Sequence, residues 1–312
     1  MEEVVIPRIG RLPSSRELLR WTFSFYAAHW QVFIGIALIP LLFVVPVFLL
    51  GDRAPAALPA FAILSGVVLL MGRLALYAAV SANGNPEGGV TGAFERGASL
   101  IMPFLFIGIL TFLAVTGGFM LFVIPGIILS LALSFAGYVL FSEGYRGLAA
   151  LVRSWQYLRG YWWSVFWRYL VFGLIAGGLF VLVGFVGGAV IPGAAQGPER
   201  GDPLFSLVWS LLNIVVLTPL SIIYGYRIYT ALRAIRPALP PPDEPSGLRS
   251  ATRLFLAFGI ALLVGALLFA PFLLGGLRPD LGVLRSVSAG MPWPLYATFI
   301  DPGLADVFFP GR

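Results

Sequence analysis

Long uncharged runs alternate with short amphipathic stretches along this chain, and that alternation sets its plan. Residues 15–29 open behind Ser14, Ser15 and Glu17, a pattern that caps a helix N-terminus. They carry Leu18, Leu19, Phe23, Phe25 and Tyr26, with Arg16 and Arg20 near the start. This predicts an interfacial helix. The run from Trp30 to Leu50 then crosses a bilayer, for which about 20 helical residues are needed. Gly51, Asp52, Arg53 and Pro55 mark a turn, and a second span covers about 58–82. Asn83, Gly84, Asn85 and Pro86 form a turn cluster, followed by a short surface helix over 90–99 with Glu95 and Arg96. No charge occurs from Leu100 to Ser142. That length predicts two spans, broken near Gly117-Gly118 or Ile124-Pro125-Gly126, with Pro125 suited to the first turn of the second helix.

The stretch 143–168 repeats the opening event. Leu148, Leu151, Val152, Trp155 and Leu158 recur at steps of three and four and form one stripe. Arg146 and Arg153, with Tyr157, are expected on the opposite, watery face. A helix of this kind lies in the membrane surface. The chain then turns at Gly160 and dives through Tyr161, Trp162, Trp163, Phe166, Trp167 and Tyr169, residue types that favour the headgroup level. A fifth span is expected over 161–190, a polar loop over 191–203, and a sixth span over 204–230 that ends in Arg227, Arg233 and Arg236.

Leu19-Arg20 with Trp30, and Val152-Arg153 with Trp163, are related by one offset of 133 residues, and Ala93–Arg96 leading into Ile101 lies between them. The expected fold is therefore all-α: a multi-pass transmembrane helical bundle of about seven spans with three amphipathic interfacial helices. The unit is a surface helix plus a hairpin, repeated three times. Its parts are a six-span membrane domain (1–236), a Pro-rich cytoplasmic linker (237–248), a seventh transmembrane helix (249–275) and an outer-face tail (276–312).

Composition agrees. The chain is 59% hydrophobic and 11% charged, with a mean hydropathy of +0.93; soluble domains carry about 25% charged residues. Cysteine is absent, which excludes disulfides and thiolate metal sites, and every basic residue is arginine, as in a GC-rich bacterial genome. The net charge of +6 does not point to nucleic acid, because the arginines sit at membrane edges. With the N-terminus inside and seven spans, only Arg53, Arg200, Arg278, Arg285 and Arg312 of the 20 arginines fall outside. The positive-inside rule thus favours a bacterial inner-membrane protein with a cytoplasmic N-terminus and a periplasmic or extracellular C-terminus. The first apolar stretch is long enough to remain as a span, so no cleaved signal peptide is expected.

Three segments, 84–97 (GNPEGGVTGAFERG), 123–127 (VIPGI) and 150–163 (ALVRSWQYLRGYWW), carry a resemblance to a broad bacterial family. It is the six-span membrane domain found alone or fused ahead of some glycerophosphodiester phosphodiesterases. The resemblance covers about 14–236, with 249–275 as an added span, and it implies no catalytic residue. The fused enzyme needs a metal-binding set of carboxylates and histidines, whereas this chain has one histidine, His29.

Little chemistry is legible beyond this. No cofactor or metal is expected, and no enzyme. Interfacial histidines such as His29 are mostly structural. Gly84–Gly97 lacks the lysine and strand context of a phosphate loop. Arg73, inside the second span, either snorkels to the inner interface or faces the bundle and binds a lipid phosphate or a buried carboxylate. Arg146, Arg153 and Arg159 are further candidates for lipid or anion binding. Glu143 is expected to pair with Arg146 in solvent, and Asn213 with Thr218 and Pro219 interrupts the sixth span. Gly173, Gly177, Gly184 and Gly188 form two G-x-x-x-G steps suited to close helix packing. Trp293, Tyr296, Phe299, Phe308 and Phe309 suggest that the tail docks onto the membrane face or a partner. The expected function is a non-catalytic structural or accessory subunit of a membrane assembly, partnered by lipids and by a protein or a second copy. The alternative is a lipid- or small-molecule-handling transporter.

Overall fold

A computed structural model describes residues 12–50, 58–190 and 203–237, with 257 and 259. The chain divides into two units, Met1–Ala261 and Leu262–Arg312, and every described residue lies in the first. The expected seventh span and the aromatic tail, including Trp293, Tyr296, Phe299, Phe308 and Phe309, fall outside the described residues, apart from 257 and 259.

The elements of the described residues are all helices. A short helix is followed by two long elements, three times over: α1 (Ser15–Ala28), α2 (Trp30–Leu50) and α3 (Leu58–Ser81); then α4 (Gly89–Ser99), α5 (Ile101–Leu121) and α6 (Val123–Leu133) continued by α7 (Ala136–Glu143); then α8 (Gly147–Leu158), α9 (Trp162–Val190) and α10 (Pro203–Leu211) continued by α11 (Thr218–Ile235). Five helices are long and apolar enough to cross a membrane, or six if α1 and α2, bent by 79° at His29, count as one. The seven expected spans are thus five or six among the described residues.

Local sequence explains the boundaries. Ser14 and Glu17 cap α1 reciprocally, Ser14 Oγ accepting from the Glu17 amide at 3.3 Å and Glu17 Oε2 from the Ser14 amide at 2.8 Å. The uncharged run breaks at the single extended residue Phe122, between the two expected positions, and Pro125 sits in the first turn of α6. No polar loop is needed there because Gly118 and Gly126 let the two backbones approach; a methyl on Gly118 would lie 3.1 Å from Gly126 Cα. Gly160, at φ +83°, makes the expected turn into α9.

The core lies at one end. α3 packs against α2, α4, α7 and α11, and α8 packs against α5, α6, α7 and α11. Phe33, Leu74, Ala79, Phe135, Leu140, Leu151, Tyr157, Ile223, Tyr224 and Tyr229 are buried there. Gly97 of α4 seats directly on the α3 backbone, and Ala93 on the same helix is buried. By contrast no residue of α9 from 173 to 186 is buried. Gly173, Gly177 and Gly184 face open space among the described residues, so the close packing expected of them has no partner there; the surroundings of Gly188 lie outside the description. The asymmetry has a physical cause: α1, α4 and α8 bring amphipathic faces to one end, whereas in lipid nothing drives smooth apolar helices together.

Candidate functional site

Two polar centres stand out. At the first, α8 folds back over α7 because Gly144 (φ +79°) and Gly147 (φ +58°) allow a three-residue connection. Glu143 at the end of α7 thereby meets α8 and α11. Its Oε2 pairs with Arg153 Nε at 3.2 Å, and its Oε1 accepts from Tyr157 at 2.9 Å and Tyr229 at 2.6 Å. The Glu143 and Arg153 side chains are 6% and 12% exposed. This corrects two expectations. Arg153 and Tyr157 do not face water, since Tyr157 is 1% exposed and the Arg153 guanidinium lies 5.0 Å from its ring centre. Glu143 pairs with Arg153, not in solvent with Arg146, which is exposed at the N-cap of α8. The polar face of α8 is buried because a carboxylate waits for it, while Trp155, assigned to the apolar stripe, is 37% exposed. Burial, and then the bond to Glu143, push the Tyr157 phenol up to about 12. Arg159 is exposed, and its carbonyl accepts from Arg236.

The second centre is a groove of about 440 Å³ between α2, α3, the segment 212–217 and the start of α11. Its apolar wall includes Ile36, Ala37, Pro40, Leu69 and Ile214, and its polar groups are Arg73, Asn213 and Thr218. The chain positions each of them. Gly72 brings α3 against Pro40, since a methyl there would lie 2.6 Å from Pro40 Cγ. Residues Leu212–Leu217 are π-helical, so Asn213 and Thr218 face one another and the Thr218 hydroxyl donates to Asn213 Oδ1 at 3.2 Å. The widened turn offers a carbonyl outward, and Tyr26 of α1 donates to Val215 O at 2.8 Å. Such π turns recur at functional sites.

Arg73 lies eight residues before the end of α3 at Ser81, about 12 Å along the axis at 1.5 Å per residue. It makes no hydrogen bond or ion pair among the described residues and is exposed to the groove. Two intramembrane features singled out separately in the sequence, Arg73 and the Asn213–Thr218 interruption, therefore line one cavity. No local pattern marks Tyr229 as a Glu143 ligand or foretells the Tyr26 bond, although the Gly144 and Gly147 pair already implies that α8 doubles back.

Among the described residues, no group of three or more histidines and carboxylates is placed to hold a metal ion. No family model, curated protein or solved structure matches the chain. What the described residues establish is a multi-pass, all-α membrane protein.

Proposed function

We propose that the protein handles phospholipids, taking a lipid headgroup into the Arg73 groove, and that it belongs among the six-span membrane domains it resembles in sequence. One observation carries this reading: an arginine without hydrogen bond or ion pair among the described residues opens into a cavity on spanning helices. Holding a charge at that depth is expensive, and the guanidinium fork suits phosphate. The π turn supports it, because irregular backbone is tolerated at membrane depth where it lines a cavity. A headgroup at Arg73 sits below its usual level, as it does in a protein that moves or modifies lipids.

The test is reconstitution in vesicles containing a fluorescent phospholipid. The protein should speed exchange of the probe between leaflets, and Arg73→Gln should slow that exchange at least tenfold. Phospholipid retained through mild-detergent purification should fall in parallel. Equal rates and equal retention would sink the reading.

An accessory-subunit role is the second reading. It is favoured by α9, whose most apolar stretch contributes no buried residue to the chain, leaving a full helix face for a neighbour. A stoichiometric protein partner that crosslinks to cysteines placed at Gly173 and Gly177, with no lipid exchange, would favour it.

A further inference from the structure

The chemistry of the groove also discriminates between headgroups. We infer that the site selects a phosphodiester bearing hydroxyl groups, a phosphatidylglycerol-type lipid, over lipids whose headgroup ends in a primary or quaternary ammonium; this rests on the Arg73 reading above.

The argument begins with charge. Among the described residues, Arg73 is the one charged residue lining the groove, and no carboxylate lines it. A primary ammonium is a donor with no acceptor capacity; beside Arg73 it meets a like charge and finds no carboxylate. A quaternary ammonium is held by aromatic faces, and the lining contains no Phe, Tyr or Trp among the described residues. Both cationic headgroups are therefore unsupported, and the field of Arg73 opposes them. Discrimination by an unpaired or like charge is as effective as added attraction.

The polar pair supplies the positive half. The Thr218 hydroxyl spends its proton on Asn213 Oδ1. Thr218 Oγ1 is left with lone pairs to accept, and the Asn213 amide nitrogen with protons to donate. One donor and one acceptor side by side match a hydroxyl, which both donates and accepts. Arg73 takes the phosphate by charge-assisted bonds. The apolar wall of Ile36, Ala37, Pro40 and Leu69 suits the acyl chains, so the occupant is the intact lipid and not its water-soluble headgroup.

The experiment titrates the full-length protein in mild detergent with dioleoyl phosphatidylglycerol, phosphatidylethanolamine or phosphatidylcholine, and counts bound lipid by native mass spectrometry. Wild-type protein should bind phosphatidylglycerol at least tenfold tighter than either of the others. Asn213→Leu and Thr218→Val, both at side chains exposed to the groove or bordering it, should cut that preference to about threefold or less while leaving unfolding temperature unchanged. Arg73→Gln should abolish tight binding of all three. The deacylated headgroup should compete at least tenfold more weakly than the lipid; equal competition overturns the assignment to a lipid. Binding that depends on Arg73 but is equal for all three lipids overturns the selectivity and leaves the proposed function standing. Binding that ignores Arg73 overturns both.

Discussion

Glu143 at the end of α7 is surrounded by three donors, whereas Arg73 on α3 faces a groove with no bond to its guanidinium among the described residues. Both are single charges on spanning helices, yet one is closed and the other open. Glu143 draws Arg153 and two phenols from α8 and α11, so it fastens three elements at the packed end of the bundle. Arg73 fastens nothing among the described residues. A charge that already has its partners is a structural clasp; one held without them at membrane depth is positioned for something that arrives. The same type of residue thus serves architecture in one place and recognition in the other.

The sharpest way to break this contrast is Glu143→Leu. It removes the carboxylate partner of Arg153 and the acceptor of two phenols, and loss of one partner of a buried pair costs about 3–5 kcal/mol. Thermal unfolding in detergent should register a large loss, and an unchanged midpoint would show that the clasp is decorative. Tyr229→Phe keeps the ring and loses one bond to a carboxylate, worth about 1.5–3 kcal/mol.

A smaller effect is expected from pH. The folded Tyr157 phenol, at about 12, lies above the ordinary 10.0. Its contribution is therefore complete below pH 10 and is lost as pH rises toward 12. Tyr157→Phe should flatten that part of the stability profile. The smallest effect belongs to Arg73→Gln, which should move stability by no more than about 0.5 kcal/mol, as for sites outside structural networks, while it abolishes lipid binding. A large destabilisation would make Arg73 a clasp as well and erase the contrast.

Much of the fold was legible because helix ends are written locally. The Ser14–Glu17 cap, the Gly160 turn and the Pro125 start all depend on residues within one turn of the boundary. The double span between 100 and 142 follows from bilayer thickness alone. What local pattern could not supply was which polar residue meets which. Periodicity sorted Arg153 and Tyr157 to the watery face because it weighs polarity without partners, and Glu143 reverses that sorting. Arg73 and Asn213 were each visible as intramembrane polar residues. Their meeting in one groove depends on how α3 and the sixth span lie together, which is a tertiary fact.

The π-helical turn at Leu212–Leu217 has a further consequence. A hydrogen bond spanning five residues in place of four accommodates one amino acid more than a regular helix needs. The sixth span can therefore be regarded as an ordinary rod into which a single codon has been inserted, with the bulge kept where it opens a wall. Deleting one residue between Leu212 and Leu217 would return the rod to regularity and leave the faces of α10 and α11 where they are. Asn213 and Thr218 would no longer face each other, and Tyr26 would lose the carbonyl it holds. In this protein the cavity wall is a matter of length by one residue, and a single in-frame deletion is enough to take it away.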